Sequence, residues 1–191
     1  MKLYKNFNVS KNHKKSIILI GNFDGVHLGH QKLFKLANNY KKKFQLNIGV
    51  VTFEPMPKMF FDKKIKNFRL SDISQKNKIL KSIGVDFLIT KKFDKNFSKI
   101  KSNFFIKEFL SKKLEAKYIF VSNNFRFGNK REGNVDQLIK NEKIYGYKIV
   151  KPQPLIQSKK VISSTYIRHL LEEGNLKKAN KALTRNWAIE G

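Results

Sequence analysis

The sequence predicts an α/β protein built on a mostly parallel sheet. Three observations lead to this prediction. Short apolar runs alternate with amphipathic segments about five times, a pattern typical of parallel strands linked by helices. Hydrophobic residues make up 40% of the 191 positions, which is enough to bury a core. No internal repeat or low-complexity linker divides the chain, so we expect one domain over residues 1–191.

Each element is supported by its own local pattern. The first strand is the apolar run Ile17–Ile20, which Gly21 ends. Asn134, with Gln137 three residues later, predicts a capped helix start. Strands are predicted over residues 16–21, 46–53, 85–90, 118–121 and 147–150, and helices over 28–43, 72–83, 103–114, 135–143, 164–172 and 176–183. This order predicts a Rossmann-like, doubly wound sheet with helices on both faces and with ligand sites beyond the carboxyl ends of its strands.

The charge balance is strongly basic. Lys and Arg number 41 and Asp and Glu number 14, which gives a net charge of 41 − 14 = +27. Nearly all of these cations are lysines scattered along the chain, whereas dedicated nucleic-acid binders usually cluster arginine for bidentate contacts. We therefore do not expect nucleic acid as the main partner. We expect the positive field to steer a small anionic substrate instead.

What the sequence lacks excludes several kinds of site. Cysteine is absent, which removes disulfides, thiolate nucleophiles and cysteine-based zinc sites. No apolar run approaches the ~18–20 residues that cross a bilayer, so we expect no membrane-spanning helix. The basic N-terminus is not followed by the apolar stretch of a secretory signal, and we expect a cytoplasmic protein.

The segment Gly21–His30 is the first candidate site. It follows a predicted strand and opens a predicted helix, where free N–H groups and the helix dipole favour phosphate. Its three glycines let the backbone approach an anion closely. His27 and His30 project from one side of the first turn and can donate hydrogen bonds to oxygens that gain charge in a transition state. Two turn histidines without a chemical role are the alternative, and a metal site is less favoured at this spacing.

A second candidate site begins the predicted helix at residue 164. Ser163, Ser164 and Thr165 supply three hydroxyls that can both cap the helix and bind a polyphosphate. Arg168 lies about one turn further on and can reach the same anion. An ordinary serine cap with a surface arginine is the alternative.

Two further segments follow predicted strands. Phe53, Glu54 and Pro55 end the second strand, where a plain strand end and turn is the alternative. The other segment is Asn124-Phe125-Arg126, beyond the strand at 118–121. In it, the amide of Asn124 can hydrogen-bond a phosphate or a ring edge, and Arg126 can pair with a phosphate. A surface loop is the alternative there.

The string from Gly21 to Gln31 resembles the His-x-Gly-His loop of the nucleotidylyltransferase superfamily. It is similar to one branch of that superfamily, the N-terminal adenylyltransferase domain of bacterial bifunctional FAD synthetases (riboflavin kinase/FMN adenylyltransferase). Residues 52–57, 122–133 and 161–168 resemble that family's Thr-Phe-(Glu/Asp)-Pro-His-Pro, Gly-x-(Asp/Asn)-Phe-x-Phe-Gly and Ile-Ser-Ser-Thr-x-Ile-Arg motifs. Met56 stands where the family usually has histidine, and Ser122 where it usually has glycine.

The resemblance implies FAD synthesis by adenylyl transfer from ATP to FMN, with release of pyrophosphate and with Mg²⁺ accompanying ATP. It implies catalytic roles for His27, His30, Ser164 and Arg168. Expected ATP-binding residues are Gly21, Asn22, Phe23, Asp24, His27, Gly29, His30, Ser163, Ser164, Thr165 and Arg168. Expected FMN-binding residues are Phe53, Glu54, Pro55, Asn124, Phe125 and Arg126. No dedicated metal ligands are expected, and Asp24 is interpreted as orienting the histidine loop.

The family's full-length proteins continue into a riboflavin kinase domain. Residues 1–191 end about where that domain would begin, so we expect it to be absent from this chain. Two functional alternatives stay open. One is an adenylyltransferase or cytidylyltransferase of the same superfamily with another phosphate acceptor, and the other is a basic nucleic-acid-binding domain.

Overall fold

A six-stranded parallel sheet forms the centre of the structure, a computed structural model that describes residues 1–65, 69–157 and 160–189. Its strands are β1 (Lys2–Tyr4), β2 (Ile17–Ile20), β3 (Ile48–Glu54), β4 (Phe87–Lys92), β5 (Tyr118–Phe120) and β6 (Lys148–Val150). They lie in the order β1-β4-β3-β2-β5-β6. The chain runs outward from β2 to β3 and β4 and then crosses to the other side of β2. The strand order therefore reverses between β2 and β5, the position at which open α/β sheets bind ligands.

The helices connect these strands in the predicted alternation. They are α1 (Leu28–Phe44), α2 (Pro57–Phe61), α3 (Ile73–Ser82), α4 (Lys95–Ser98), α5 (Ser102–Phe104), α6 (Val135–Lys140), α7 (Glu142–Tyr145), α8 (Ser164–Glu172) and α9 (Leu176–Leu183). The chain continues from α5 directly into a π-helix, Phe105–Lys113. Two short antiparallel ribbons pair Arg126–Phe127 with Gly133–Asn134 and Ile156–Gln157 with Lys160–Val161.

Alternate residues of each central strand enter two separate cores. Ile17 and Leu19 of β2 pack on the face that carries α1 and α3. Ile18 and Ile20 of the same strand pack on the face that carries the π-helix and α6. Because both faces are covered, β2 is apolar at every position. The predicted α/β, doubly wound fold is confirmed.

A third, smaller core joins α8 and α9 to the segment before α3. Ile167 and Leu170 of α8 pack with Ala182 and Leu183 of α9 and with Leu70. This packing holds the N-terminus of α8 beside the loop that follows β2.

The structure differs from the predicted elements in several places. Helices α2 and α4 and the two short ribbons were not predicted. Strand β1 was not predicted because it has three residues and is an edge strand with Leu3 exposed. The predicted helix at 103–114 is largely a π-helix, in which the N–H of Leu114 donates to the carbonyl of Phe109. The predicted helix at 135–143 is divided into α6 and α7, although Asn134 caps α6 by accepting from the N–H of Gln137, as predicted.

None of the helices within residues 1–65, 69–157 and 160–189 is both long and apolar enough to cross a membrane.

The close packing of β3 against β4 leaves no room for a side chain at position 49. Gly49 lies opposite Phe87, and a Cβ atom built on Gly49 would overlap the Phe87 ring. Gly49→Ala should lower the free energy of unfolding by about 1–3 kcal/mol, because overpacked cores must shift. Urea denaturation measures this loss. Gly49→Ala should lower the free energy of unfolding less in the Phe87→Leu background than in wild type. Equal losses in the two backgrounds would contradict the proposed overlap.

Candidate active site

The loop after β2 makes a tight turn before α1. Phe23, Gly25 and Val26 all have positive φ angles, of 48°, 75° and 38°. Positive φ costs little at glycine but is strained at the other two residues, and such strain concentrates at functional sites. The turn places His27 at the N-cap of α1.

The two histidines of this loop are stacked. Their ring centroids lie 3.6 Å apart at an interplanar angle of 21°. Nδ1 of His27 accepts a 3.4 Å hydrogen bond from the backbone N–H of His30, so the neutral His27 ring carries its proton on Nε2. Nδ1 of His30 is buried and has no hydrogen-bond partner in the part of the chain that the structure describes. Among the described residues, each ring therefore keeps a nitrogen that makes no hydrogen bond.

Burial keeps both imidazoles neutral at neutral pH. Burial lowers the pKa of His27 to about 4, and the nearby charge of Arg168 contributes to the same shift. The pKa of His30 is also lowered, first by burial and then by His27. Each histidine can therefore act as a single N–H donor without adding a positive charge.

The carboxylate of Asp24 joins three segments of the chain. Its oxygens accept hydrogen bonds from the backbone N–H of Leu70 at 3.0 and 3.2 Å and from that of Ser71 at 3.4 Å. One oxygen also accepts from the Arg168 guanidinium at 2.6 Å. The backbone carbonyl of Asp24 accepts from the Ser164 hydroxyl at 3.0 Å. Asp24 therefore holds the histidine loop against the start of α8, which agrees with an orienting role.

The hydroxyl segment adjoins the histidine loop. Ser163 caps α8 by accepting from the N–H of Tyr166 at 3.2 Å, and Thr165 is exposed in the first turn. A Cβ atom on Gly29 would lie 3.0 Å from the carbonyl oxygen of Ile162, so a larger residue at this position would press against the segment before α8. The first turns of α1 and α8 thus lie side by side, and both present backbone N–H groups.

The segment at the end of β3 is held by an ion pair. Arg69 donates to Oε1 of Glu54, while Oε2 of Glu54 is buried and has no partner among the described residues. Phe53 packs against the rings of Phe93 and Phe97. Pro55 follows a cis peptide bond.

The segment after β5 forms a loop and a short ribbon. The Ser122 hydroxyl donates to Oδ1 of Asn124 at 2.9 Å, and the Phe125 ring stacks on that of Phe127 with centroids 5.4 Å apart. Arg126 is exposed. In the described ranges, no hydrogen bond or ring contact joins this loop to the histidine or hydroxyl segments. It shares their edge of the sheet because β5 is the direct neighbour of β2.

A protein-family model described as FAD synthetase matches residues 9–166. The chain belongs to the FAD synthetase family. It is 40% identical over 195 residues to a bifunctional riboflavin kinase/FMN adenylyltransferase of Buchnera aphidicola subsp. Schizaphis graminum, covering 100% of this chain and 62% of that protein. The protein of the same name from Buchnera aphidicola subsp. Acyrthosiphon pisum is 38% identical over 184 residues, with 96% and 59% covered. The chain thus spans about three fifths of the length of these relatives.

The structure is also similar to a crystal structure of a macrolide-efflux protein from Streptococcus pneumoniae. The TM-score is 0.82 and the sequence identity 28%, over 96% of this chain and 59% of that one. This structural similarity covers nearly all of the chain.

Several polar residues near the candidate site were not predicted from the sequence. Arg185 donates to the carbonyl of Gly25 at 2.8 Å, and the Trp187 indole donates to that of Leu70 at 3.0 Å. Lys76 is buried on the inner face of α3. Its spacing of four residues from the core residue Leu80 was a signal that could have found it.

The depressed pKa of His27 predicts a pH-dependent stability. Unfolding returns the pKa of His27 to its ordinary value of 6.5, so the unfolded chain binds more protons below that pH, and wild type loses stability as pH falls toward 4. Over the interval from pH 7 to 5 this one group should cost about 2 kcal/mol. His27→Asn should remove that component, because asparagine keeps the N-cap acceptor without titrating.

Urea unfolding of both proteins at pH 7 and pH 5 provides the measurement, with the exposed His169→Asn as control. The stability of wild type relative to His27→Asn should drop at the lower pH. An unchanged difference at the two pH values would show that His27 protonates in the folded protein at its ordinary pKa.

Proposed function

We propose that this chain transfers the adenylyl group of ATP to FMN, forming FAD and pyrophosphate. One observation carries the proposal. The His27–His30 pair and the hydroxyls of Ser163–Thr165 occupy adjoining helix N-termini at the point where the strand order reverses. Both helix ends suit phosphate, and together they can hold one polyphosphate. The names of the curated relatives support FMN as the acceptor.

In the proposed reaction, a phosphate oxygen of FMN attacks the α-phosphorus of ATP in line. A new P–O bond forms, the bond from the α-phosphorus to its bridging oxygen breaks, and pyrophosphate leaves with the electron pair. This step needs no covalent intermediate on the protein. The task of the residues is to position the reactants and to stabilise charge.

On the ATP side, His27 and His30 would donate their remaining N–H groups to α- and β-phosphate oxygens. Ser163, Ser164 and Thr165 would hold the leaving pyrophosphate together with the N–H groups of α8. The Arg168 guanidinium has five N–H donors and can bind pyrophosphate while it stays paired with Asp24. Gly21, Asn22, Phe23 and Gly29 would contribute backbone that lies close to the nucleotide.

On the acceptor side, we assign FMN to two segments at the same sheet edge. Phe53, Glu54 and Pro55 lie at the end of β3. Asn124, Phe125 and Arg126 follow β5, where the Phe125 ring can stack on an isoalloxazine and Asn124 can hydrogen-bond its edge.

Mg²⁺ belongs to the proposal as part of the substrate, bound to the phosphates of ATP. Within residues 1–65, 69–157 and 160–189, no group of three or more His, Asp or Glu side chains is placed to hold a metal ion. Both oxygens of Asp24 already accept hydrogen bonds. We therefore expect ATP and water to supply the Mg²⁺ ligands. A cytoplasmic location remains a prediction for this chain.

The direct test is to incubate the protein with ATP, Mg²⁺ and FMN and to quantify FAD and pyrophosphate by chromatography. Pantetheine phosphate, nicotinamide mononucleotide and glycerol phosphate are the competing acceptors. FAD should form with FMN, and turnover with another acceptor alone would reject FMN. Steeply salt-dependent binding to nucleic acid, with no turnover of any acceptor, would favour the nucleic-acid alternative.

His30→Ala should lower turnover by about 10²–10³-fold, as the loss of one transition-state donor does in other enzymes. The fold should persist, because Nδ1 of His30 makes no hydrogen bond among the described residues. Steady-state FAD formation measures the effect, with His169→Ala as an exposed control. Activity within threefold of wild type would remove His30 from the chemistry.

A further inference from the structure

A buried lysine lies beneath the candidate site and has no role in the scheme above. Lys76 is 6% exposed and sits on the face of α3 that packs on the sheet. Its Nζ lies 3.5 Å from Oγ1 of Thr52, which in turn donates to the carbonyl of Asn22 at 3.4 Å. The ammonium is thereby placed between the carboxyl ends of β2 and β3.

The Lys76 ammonium makes few polar contacts with the described residues. In the described part of the chain, the Thr52 hydroxyl is its one hydrogen-bond partner, and no carboxylate forms an ion pair with it. Lysine is almost never fully buried without a paired charge, because removing the charge from water is costly. Burial accordingly lowers the pKa of Lys76, and the carboxylates of Glu54 and Asp24 oppose that shift only in part.

The two carboxylates that act on Lys76 each form an ion pair with an arginine. Glu54 pairs with Arg69, and Asp24 pairs with Arg168. The group of five charges therefore holds three cations and two anions, which leaves one positive charge without an anion. The buried, unpartnered Oε2 of Glu54 lies in the same group. A ligand that brings both an anion and a hydroxyl donor would satisfy Lys76 and Glu54 together.

We propose that Lys76 binds the phosphate of the acceptor substrate. This inference rests on the proposed function, under which that acceptor is FMN. A phosphate monoester carries about two negative charges near neutral pH, and the ribityl chain of FMN supplies hydroxyls beside it. Lys76 contacts Thr52, the residue before the segment Phe53–Pro55 that we assign to FMN. The polyphosphate site, by contrast, lies at the N-termini of α1 and α8.

The test compares FMN with riboflavin, which has the same ring and ribityl chain without the phosphate. Lys76→Met should weaken FMN binding, followed by flavin fluorescence, by about 10–100-fold, the usual cost of losing a charged hydrogen bond. Riboflavin binding and the KM for ATP should stay within twofold of wild type. Lys76→Arg, which keeps the charge, should retain a preference for FMN over riboflavin.

Lys81→Met is the matched control, because it removes the same charge from an exposed position of the same helix. Thermal unfolding of each variant verifies folding, and Lys76→Gln replaces the methionine variant should that one not fold. Equal losses for FMN and riboflavin, or a rise confined to the KM for ATP, would overturn the assignment of Lys76. If wild type itself makes no FAD from FMN, the proposed function fails; if wild type makes FAD and Lys76→Met keeps its preference for FMN, only the Lys76 assignment fails.

Discussion

The candidate site depends on the buried carboxylate of Asp24. Its oxygens bind the backbone of Leu70 and Ser71 and the guanidinium of Arg168, while its carbonyl binds Ser164. These partners come from segments that lie 46 to 144 positions away along the chain. Without this carboxylate, Arg168 would lose its 2.6 Å ion pair with Asp24, and breaking a largely buried pair is strongly destabilising. The histidine loop and the hydroxyl segment would then lose their common anchor.

Different groups around Asp24 position the substrate and attract it from a distance. The two histidines are neutral, and Arg69 and Arg168 are each neutralised by a carboxylate. Groups at the centre of the site can therefore donate hydrogen bonds in fixed directions without a large local excess of charge. The net charge of +27 comes largely from lysines spread over the sequence. Such a field attracts a polyphosphate from a distance, and salt weakens it more than it weakens the buried contacts.

Much of the fold was predictable because its signals are local. The apolar run of β2 and the helical periodicity of α1 lie within short windows, and both elements occur where the sequence placed them. The His27–His30 pair and the capping serine Ser163 were also local signals. Strand β1 was missed because three residues at a sheet edge carry no periodicity. The π-helix Phe105–Lys113 was missed because its buried residues fit an α-helical stripe equally well.

Contacts between segments that lie far apart in the chain could not be predicted from the sequence. The partnership of Asp24 with Leu70 and the position of Lys76 under Thr52 both require β2, β3 and α3 to be assembled first. In the sequence Lys76 is one of many lysines, and most of these are solvated. Its environment distinguishes it: a cation at the end of a buried strand costs stability unless an anion compensates it. Lys76 lies near Glu54 and Asp24, but each of these carboxylates is already paired with an arginine. The remaining positive charge therefore favours an anionic ligand at Lys76.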